Sequence, residues 1–241
     1  LKKIDFYNCE HPVIQGIIGF LESGAGFTEK GWLQKMPSNN DYPHAPWWNY
    51  SNERSGGFHA DFEYNPTAEL AGFCLRVLPN DVKLWKTSCR IVGEALERLS
   101  NVATIERHEL GCYCSLFTDL TVGKQNDIFP LSKLASILKA SVNKEIESNP
   151  DKWNTYVAKP SDFMNGNDSI FYADNKDIAD YECEYIIKSQ LGDGSWPIPW
   201  GWAAYPEEWA ISKNWWKGNG AILNMLLGNC EMKSDENQKH E

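Results

Sequence analysis

His108, Cys112, Ser115 and Asp119 recur at spacings of four, three and four, which places them within one ~60° stripe of an ideal helix. If residues 105–119 form an inner helix, that stripe lines the hollow the helix faces, because a polar face has no reason to point into an apolar wall. An imidazole and a carboxylate in a hollow are acid–base groups, so His108 and Asp119 are candidate catalytic residues. The competing reading is a buried polar stripe satisfied by hydrogen bonds. Asp41, Tyr42 and His44 form a second constellation. A histidine beside an acid and an aromatic ring can serve as a general acid or base when buried, which makes Asp41 and His44 candidates too. Alternatively Asn39-Asn40-Asp41 simply makes a turn and His44 caps a neighbouring backbone. Glu69 and Glu109 lie near the starts of two helices, where a carboxylate complements the helix dipole.

Aromatic residues carry the other signal. The chain has 11 Trp, 10 Tyr and 10 Phe, and the tryptophans crowd between Trp196 and Trp216. Trp85 belongs to a helical core stripe. Tyr42, Trp47, Trp48, Trp196, Trp200, Trp202 and Tyr205 sit in irregular segments and are candidate ligand-binding residues. Indole faces suit cations and apolar chains, and they also stack on sugar rings.

The elements that must position these groups are helices. After Pro79-Asn80-Asp81, residues Trp85, Cys89, Val92, Leu96 and Leu99 make one apolar stripe with charged residues elsewhere, so 81–99 reads as an amphipathic helix with a wet face. Residues 131–147 read the same way through Leu131, Leu134, Leu138 and Val142, and 11–22 and 177–190 follow less cleanly. Segments 66–78 and 217–227 are apolar almost all round, and a helix apolar on every side must be buried on every side. Asn65 and Pro66 suit the N-cap and first turn of the former, and Gly228 suits the stop of the latter. Helices 81–99 and 131–147 then form an outer layer around 66–78, 105–119 and 217–227. No strand alternation is visible. The expected fold is all-α, in two concentric layers, with one domain over 1–230 and a polar tail over 231–241.

Length and charge exclude several functions. At 241 residues and 27.4 kDa, one substantial domain is expected. A net charge of -10 and no Lys/Arg cluster argue against nucleic-acid binding. No apolar run approaches the ~20 residues of a membrane-spanning helix. No charged-then-apolar leader opens the chain, and with Leu1 in first place the natural N-terminus is expected to lie upstream. Seven cysteines without a CxxC pair suit a reducing cytoplasm better than a disulfide scaffold.

Two long irregular segments, 31–64 and 191–212, resemble each other. One holds Gly31-Trp32 and then Pro43-His44-Ala45-Pro46-Trp47-Trp48-Asn49-Tyr50. The other holds Gly194-Ser195-Trp196 and then Pro197-Ile198-Pro199-Trp200-Gly201-Trp202, ending at Tyr205. They read as two equivalent Trp-bearing corners overlooking one hollow. Gln190-Leu191-Gly192-Asp193-Gly194-Ser195-Trp196 resembles the Gln…Gly-x-Trp repeat of squalene/hopene and other triterpene cyclases, to which the repeats of protein prenyltransferase β subunits are related. Arg54-Ser55-Gly56-Gly57-Phe58, leading to Asn65-Pro66-Thr67-Ala68-Glu69-Leu70, is similar to another such unit. The resemblance implies an α/α toroid of helical hairpins and a small apolar ligand, isoprenoid in kind, in a Trp-lined cavity.

The departures limit what can be carried over. Proton-initiated cyclases place an Asp acid in Asp-x-Asp-Asp-Thr-Ala, and the corresponding stretch here is Glu63-Tyr64-Asn65-Pro66-Thr67-Ala68. Glu63 alone keeps a carboxyl and is the candidate acid. The Asp-rich diphosphate motif is absent. Prenyltransferases hold zinc through Asp, Cys and His, which draws attention to His108 and Cys112. Cys114, however, points away from Cys112 on the same helix, and the Asp-x-Cys spacing is missing. No metal ligands are therefore assigned, and no cofactor is specified. About four helix pairs are countable where the family uses roughly six, so either the missing N-terminal part is expected to supply more, or the toroid is partial, or another subunit, a second copy included, closes it. Two further readings stand beside the first: a carbohydrate-active α/α barrel, and a non-catalytic binding module.

Overall fold

His11 and Pro12 begin the first helix. The His11 Nδ1 accepts the Val13 N–H at 3.2 Å, and Pro12 stands in the first turn, where its missing N–H costs nothing. The helix, α1, runs Pro12–Glu22 and buries Ile14, Ile18 and Leu21. In this computed structural model, which describes residues 1–50 and 64–238 with side chains to 227, seven more helices follow: α2 Thr67–Val77, α3 Lys83–Asn101, α4 Arg107–Val122, α5 Leu131–Glu145, α6 Pro160–Phe163, α7 Tyr172–Ser189 and α8 Pro206–Gln238. The class is all-α, with 62% helix and 2% strand. Among the described residues no helix is long and apolar enough to cross a membrane, and Cys9, Cys74, Cys89, Cys112 and Cys114 form no disulfide with one another.

The chain divides into two compact units, Leu1–Pro37 with Ser51–Ser141, and Ser38–Tyr50 with Val142–Glu241. In the first unit the two expected kinds of helix are present. α2 packs on both α3 and α4 and buries Thr67, Ala68, Ala71, Gly72, Phe73, Cys74 and Leu75. Burying Phe73 and Leu75 contributes about 2–3 kcal/mol each. At Gly72 α2 and α4 approach closely, since a Cβ there would stand 3.1 Å from the Leu116 Cα. α3 buries one face only, Ser88, Ile91, Val92, Ala95 and Leu99. α4 is capped by Glu106, whose carboxylate accepts the N–H groups of His108 and Glu109 at 2.8 and 3.2 Å.

A small hairpin, Phe27–Thr28 (β1) against Gly31–Trp32 (β2), is the strand structure that periodicity could not reveal, since two residues show no alternation. β2 is tied to the start of α2. The Thr67 hydroxyl accepts the Trp32 N–H at 3.0 Å and donates to the Trp32 carbonyl at 3.1 Å. Pro66, not Asn65, occupies the cap position of α2, and the Asn65 side chain instead accepts the Cys112 thiol at 3.6 Å.

In the second unit α6 packs on α7, and α7 on α8. Trp153 is 1% exposed, edge-on to the rings of Tyr181 and Tyr185. Its indole N–H donates to the Glu147 carbonyl at 2.9 Å. α8 corrects the expected start and stop of this helix. It begins at Pro206 and not near 217, it passes through Gly228, and it carries the expected tail to Gln238 as helix. One glycine costs a helix interior only about 1 kcal/mol relative to Ala, and no proline follows to stop it. Nor is 217–227 buried all round, because Ile222, Leu223 and Met225 are exposed.

Candidate ligand-binding site

The two Trp-bearing corners meet. Pro46 opens a single turn of 3-10 helix, Pro46–Trp48, whose first indole lies edge-on to Trp200, ring centres 6.3 Å apart. Trp200 in turn stands edge-on to Trp216 at 5.0 Å and tilted against Trp209 at 5.2 Å. Trp202 extends the group through Trp209 at 5.4 Å. These are the offset and T-shaped geometries that aromatic quadrupoles favour. Trp209 and Trp216 escaped the sequence reading. The available signal was their spacing of seven, two turns apart on one face of α8.

The group is an open surface. Trp47 is 50% exposed, and Trp48, Trp216 and Tyr205 are exposed as well. Tyr205 lies 6.0 Å from the His44 ring. His44 has both ring nitrogens engaged, Nδ1 at 2.5 Å from the Tyr42 carbonyl and Nε2 at 2.6 Å from the Asn49 side-chain amide. That arrangement holds the corner's turn together, as the capping alternative requires, and presents no ring nitrogen to a ligand. Asp41 ends the 3-10 turn Pro37–Asp41 and is exposed, as is Tyr42. Trp196 serves its own helix end: its indole N–H donates to the Ile186 carbonyl at 2.8 Å, while the Gln190 amide donates to Gly194 at 3.0 Å. The Gln…Gly-x-Trp stretch thus closes the C-terminus of α7, where unpaired carbonyls need donors.

The polar stripe of α4 lies in the other unit and splits three ways. His108 is exposed and 3.9 Å from the Glu106 carboxylate. Cys112 is buried, within 4.0 Å of a Glu69 carboxylate oxygen; burial, aided by that charge, pushes its thiol well above the usual range. Asp119 is 1% exposed and surrounded by donors: Lys2 Nζ at 2.6 Å, the Tyr7 hydroxyl at 2.8 Å and Arg76 Nη1 at 3.4 Å. A carboxylate so held is a structural ion, and it faces the N-terminal segment where a hollow was expected. Glu63 lies outside the described residues. Among the described residues no group of three or more His, Cys, Asp and Glu side chains is placed to hold a metal ion.

Glu182 is a buried carboxylate that the sequence did not disclose. Its two oxygens accept the Ser161 N–H at 2.8 Å and the Ser161 hydroxyl at 2.7 Å. It borders a small recess of about 20 Å³, partly open to solvent, shared with Pro160, Met164, Tyr172, Cys183 and Leu227. None of the tryptophans lines this recess. Burial pushes the Glu182 carboxyl up from 4.5 to about 6, against the pull of the Ser161 hydrogen bonds. The folded state therefore binds this proton more tightly than the unfolded chain. Stability from this group is greatest below pH ~4.5 and falls by about 2 kcal/mol as pH rises to ~6. Urea denaturation across that window is expected to show this slope in the wild type and to lose it in Glu182→Gln. Equal slopes in the two proteins would refute the assignment.

Comparison with protein-family models, with curated proteins and with solved structures finds no match to the chain.

Proposed function

We propose that this is a terpenoid-cyclase-like helical protein that binds an isoprenoid or similar apolar chain on the indole surface formed by Trp47, Trp200, Trp209 and Trp216. The observation that carries the reading is the convergence of two sequence-distant Trp corners into one partly exposed aromatic group. Flat apolar rings offer dispersion contact along an extended chain without demanding hydrogen bonds from it. Binding is favoured over cyclisation. Cyclisation needs a water-excluded cavity and a strong acid, whereas these rings are open and His44 is occupied by its own turn. The α/α toroid, a cytoplasmic location and closure of the ring by another subunit belong to the same proposal, on the strength of the Gln190–Trp196 repeat and the cysteine usage.

Intrinsic fluorescence provides the test. Titration with farnesol is expected to quench and blue-shift the tryptophan emission, and Trp47→Ala or Trp200→Ala to weaken binding about 10-fold or more. No response to farnesol, or a response unchanged in both variants, would defeat the proposal. A response to cello-oligosaccharides in its place would favour the carbohydrate reading, since exposed indoles also stack on sugar rings.

A further inference from the structure

α8 has a second apolar face. Ile211, Trp215, Gly218, Ile222 and Met225 follow spacings of four, three, four and three, the seam pattern of paired helices, and all five are exposed. Trp215 is 76%, Ile211 61%, Met225 56% and Ile222 55% exposed. Trp209 and Trp216, which pack on Trp200, lie on the opposite side of the helix.

We propose that this face is a dimer interface, occupied by α8 of a second copy of the chain running antiparallel. Three observations favour that occupant. The first is area: the stripe leaves about 600 Å² uncovered per copy, so a pair buries ~1,200 Å², the lower edge of a stable specific interface. Patches this large on a soluble surface mark interaction sites. The second is shape. In the antiparallel register that sets Trp215 of one copy against Gly218 of the other, Ile211 meets Ile222, so the largest side chain enters the gap left by the smallest, twice. Each contact is repeated by the two-fold axis, as a self-complementary interface requires. The third is charge. The flanking residues Ser212, Asn214, Asn219 and Ala221 are uncharged, Lys213 and Lys217 lie off the seam, and Glu208, the seam position before Ile211, falls opposite Met225 and not opposite another carboxylate, so no like charges are brought together.

Sedimentation equilibrium of the full chain under reducing conditions tests this. The wild type is expected at twice 27.4 kDa in the micromolar range. Trp215→Glu is expected to weaken association by about 30-fold or more. Ile222→Lys provides a second disruption of the same seam, and Lys213→Ala, off the seam, is expected to leave association unchanged. Circular dichroism establishes that each variant is folded. A wild type that stays monomeric at 100 µM-scale concentration (about ten times the expected midpoint), or a dimer indifferent to both seam substitutions, would overturn the proposal.

Discussion

Asp119→Ala is expected to lower the unfolding free energy by about 3–5 kcal/mol, the cost of breaking a buried ion pair by removing one partner. Asp119 is the shared acceptor for Lys2, Tyr7 and Arg76, and Arg76 also lies 3.4 Å over the face of the Tyr7 ring. Removing the carboxylate leaves two cations and a phenol hydroxyl without their shared acceptor where α2 and α4 pack together. Compensation is partial. Arg76 retains Asp5 at 2.6 Å, and Lys2 retains Glu69 at 3.6 Å. Lys2→Ala is expected to cost much less, about 1 kcal/mol, because Lys2 is one-quarter exposed and Asp119 keeps two other donors. Urea denaturation measures both, and limited proteolysis near residues 1–9 reports whether the N-terminal segment detaches. If Asp119→Ala costs no more than Lys2→Ala, Asp119 is not the centre of this network.

Gly31→Ala is expected to cost about 3 kcal/mol, from overpacking and from a backbone conformation that alanine resists. Gly31 has φ +135°, and an added Cβ would stand 2.3 Å from Thr67 Cγ2 and 2.6 Å from its Oγ1. Thr67 cannot turn aside cheaply. It is fully buried, and its hydroxyl is engaged with both the N–H and the carbonyl of Trp32. A double-mutant cycle identifies the cause. Thr67→Ala removes the two clashing atoms, so the pair of substitutions together is expected to cost at least ~1 kcal/mol less than their sum. Strict additivity in urea denaturation would show that the clash is not what Gly31 avoids.

Helix positions in the first unit were legible because their cause is local. The stripe of Val92 and Leu99 and the all-round apolarity of Phe73, Cys74 and Leu75 are set by residues within one helix. Those positions are buried as expected, whereas Trp85, Cys89 and Leu96 of the same stripe are half-buried and Ser88, Ile91 and Ala95 are buried in their place. The kinship of the Trp47 and Trp200 corners was also legible, from composition and proline placement. What the polar groups bond to was not. Asp119 and Lys2 are 117 positions apart, and nothing at either end marks the other. The α4 stripe of His108, Cys112 and Asp119 shared a face as its spacing required, yet its members meet exposed surface, Glu69 and an N-terminal lysine respectively.

By itself, then, the sequence determined the helical class, the buried faces of the short-range helices and the concentration of indoles in two corners. Those features follow from periodicity and turn chemistry, which act over a few residues. Only the tertiary structure decided that the corners touch, that Asp119 is spent on Lys2, Tyr7 and Arg76, and that α8 keeps an uncovered apolar face. Each of these depends on which distant surfaces are brought into contact. A charge or an indole takes whatever partner packing supplies, and local pattern carries no record of that partner.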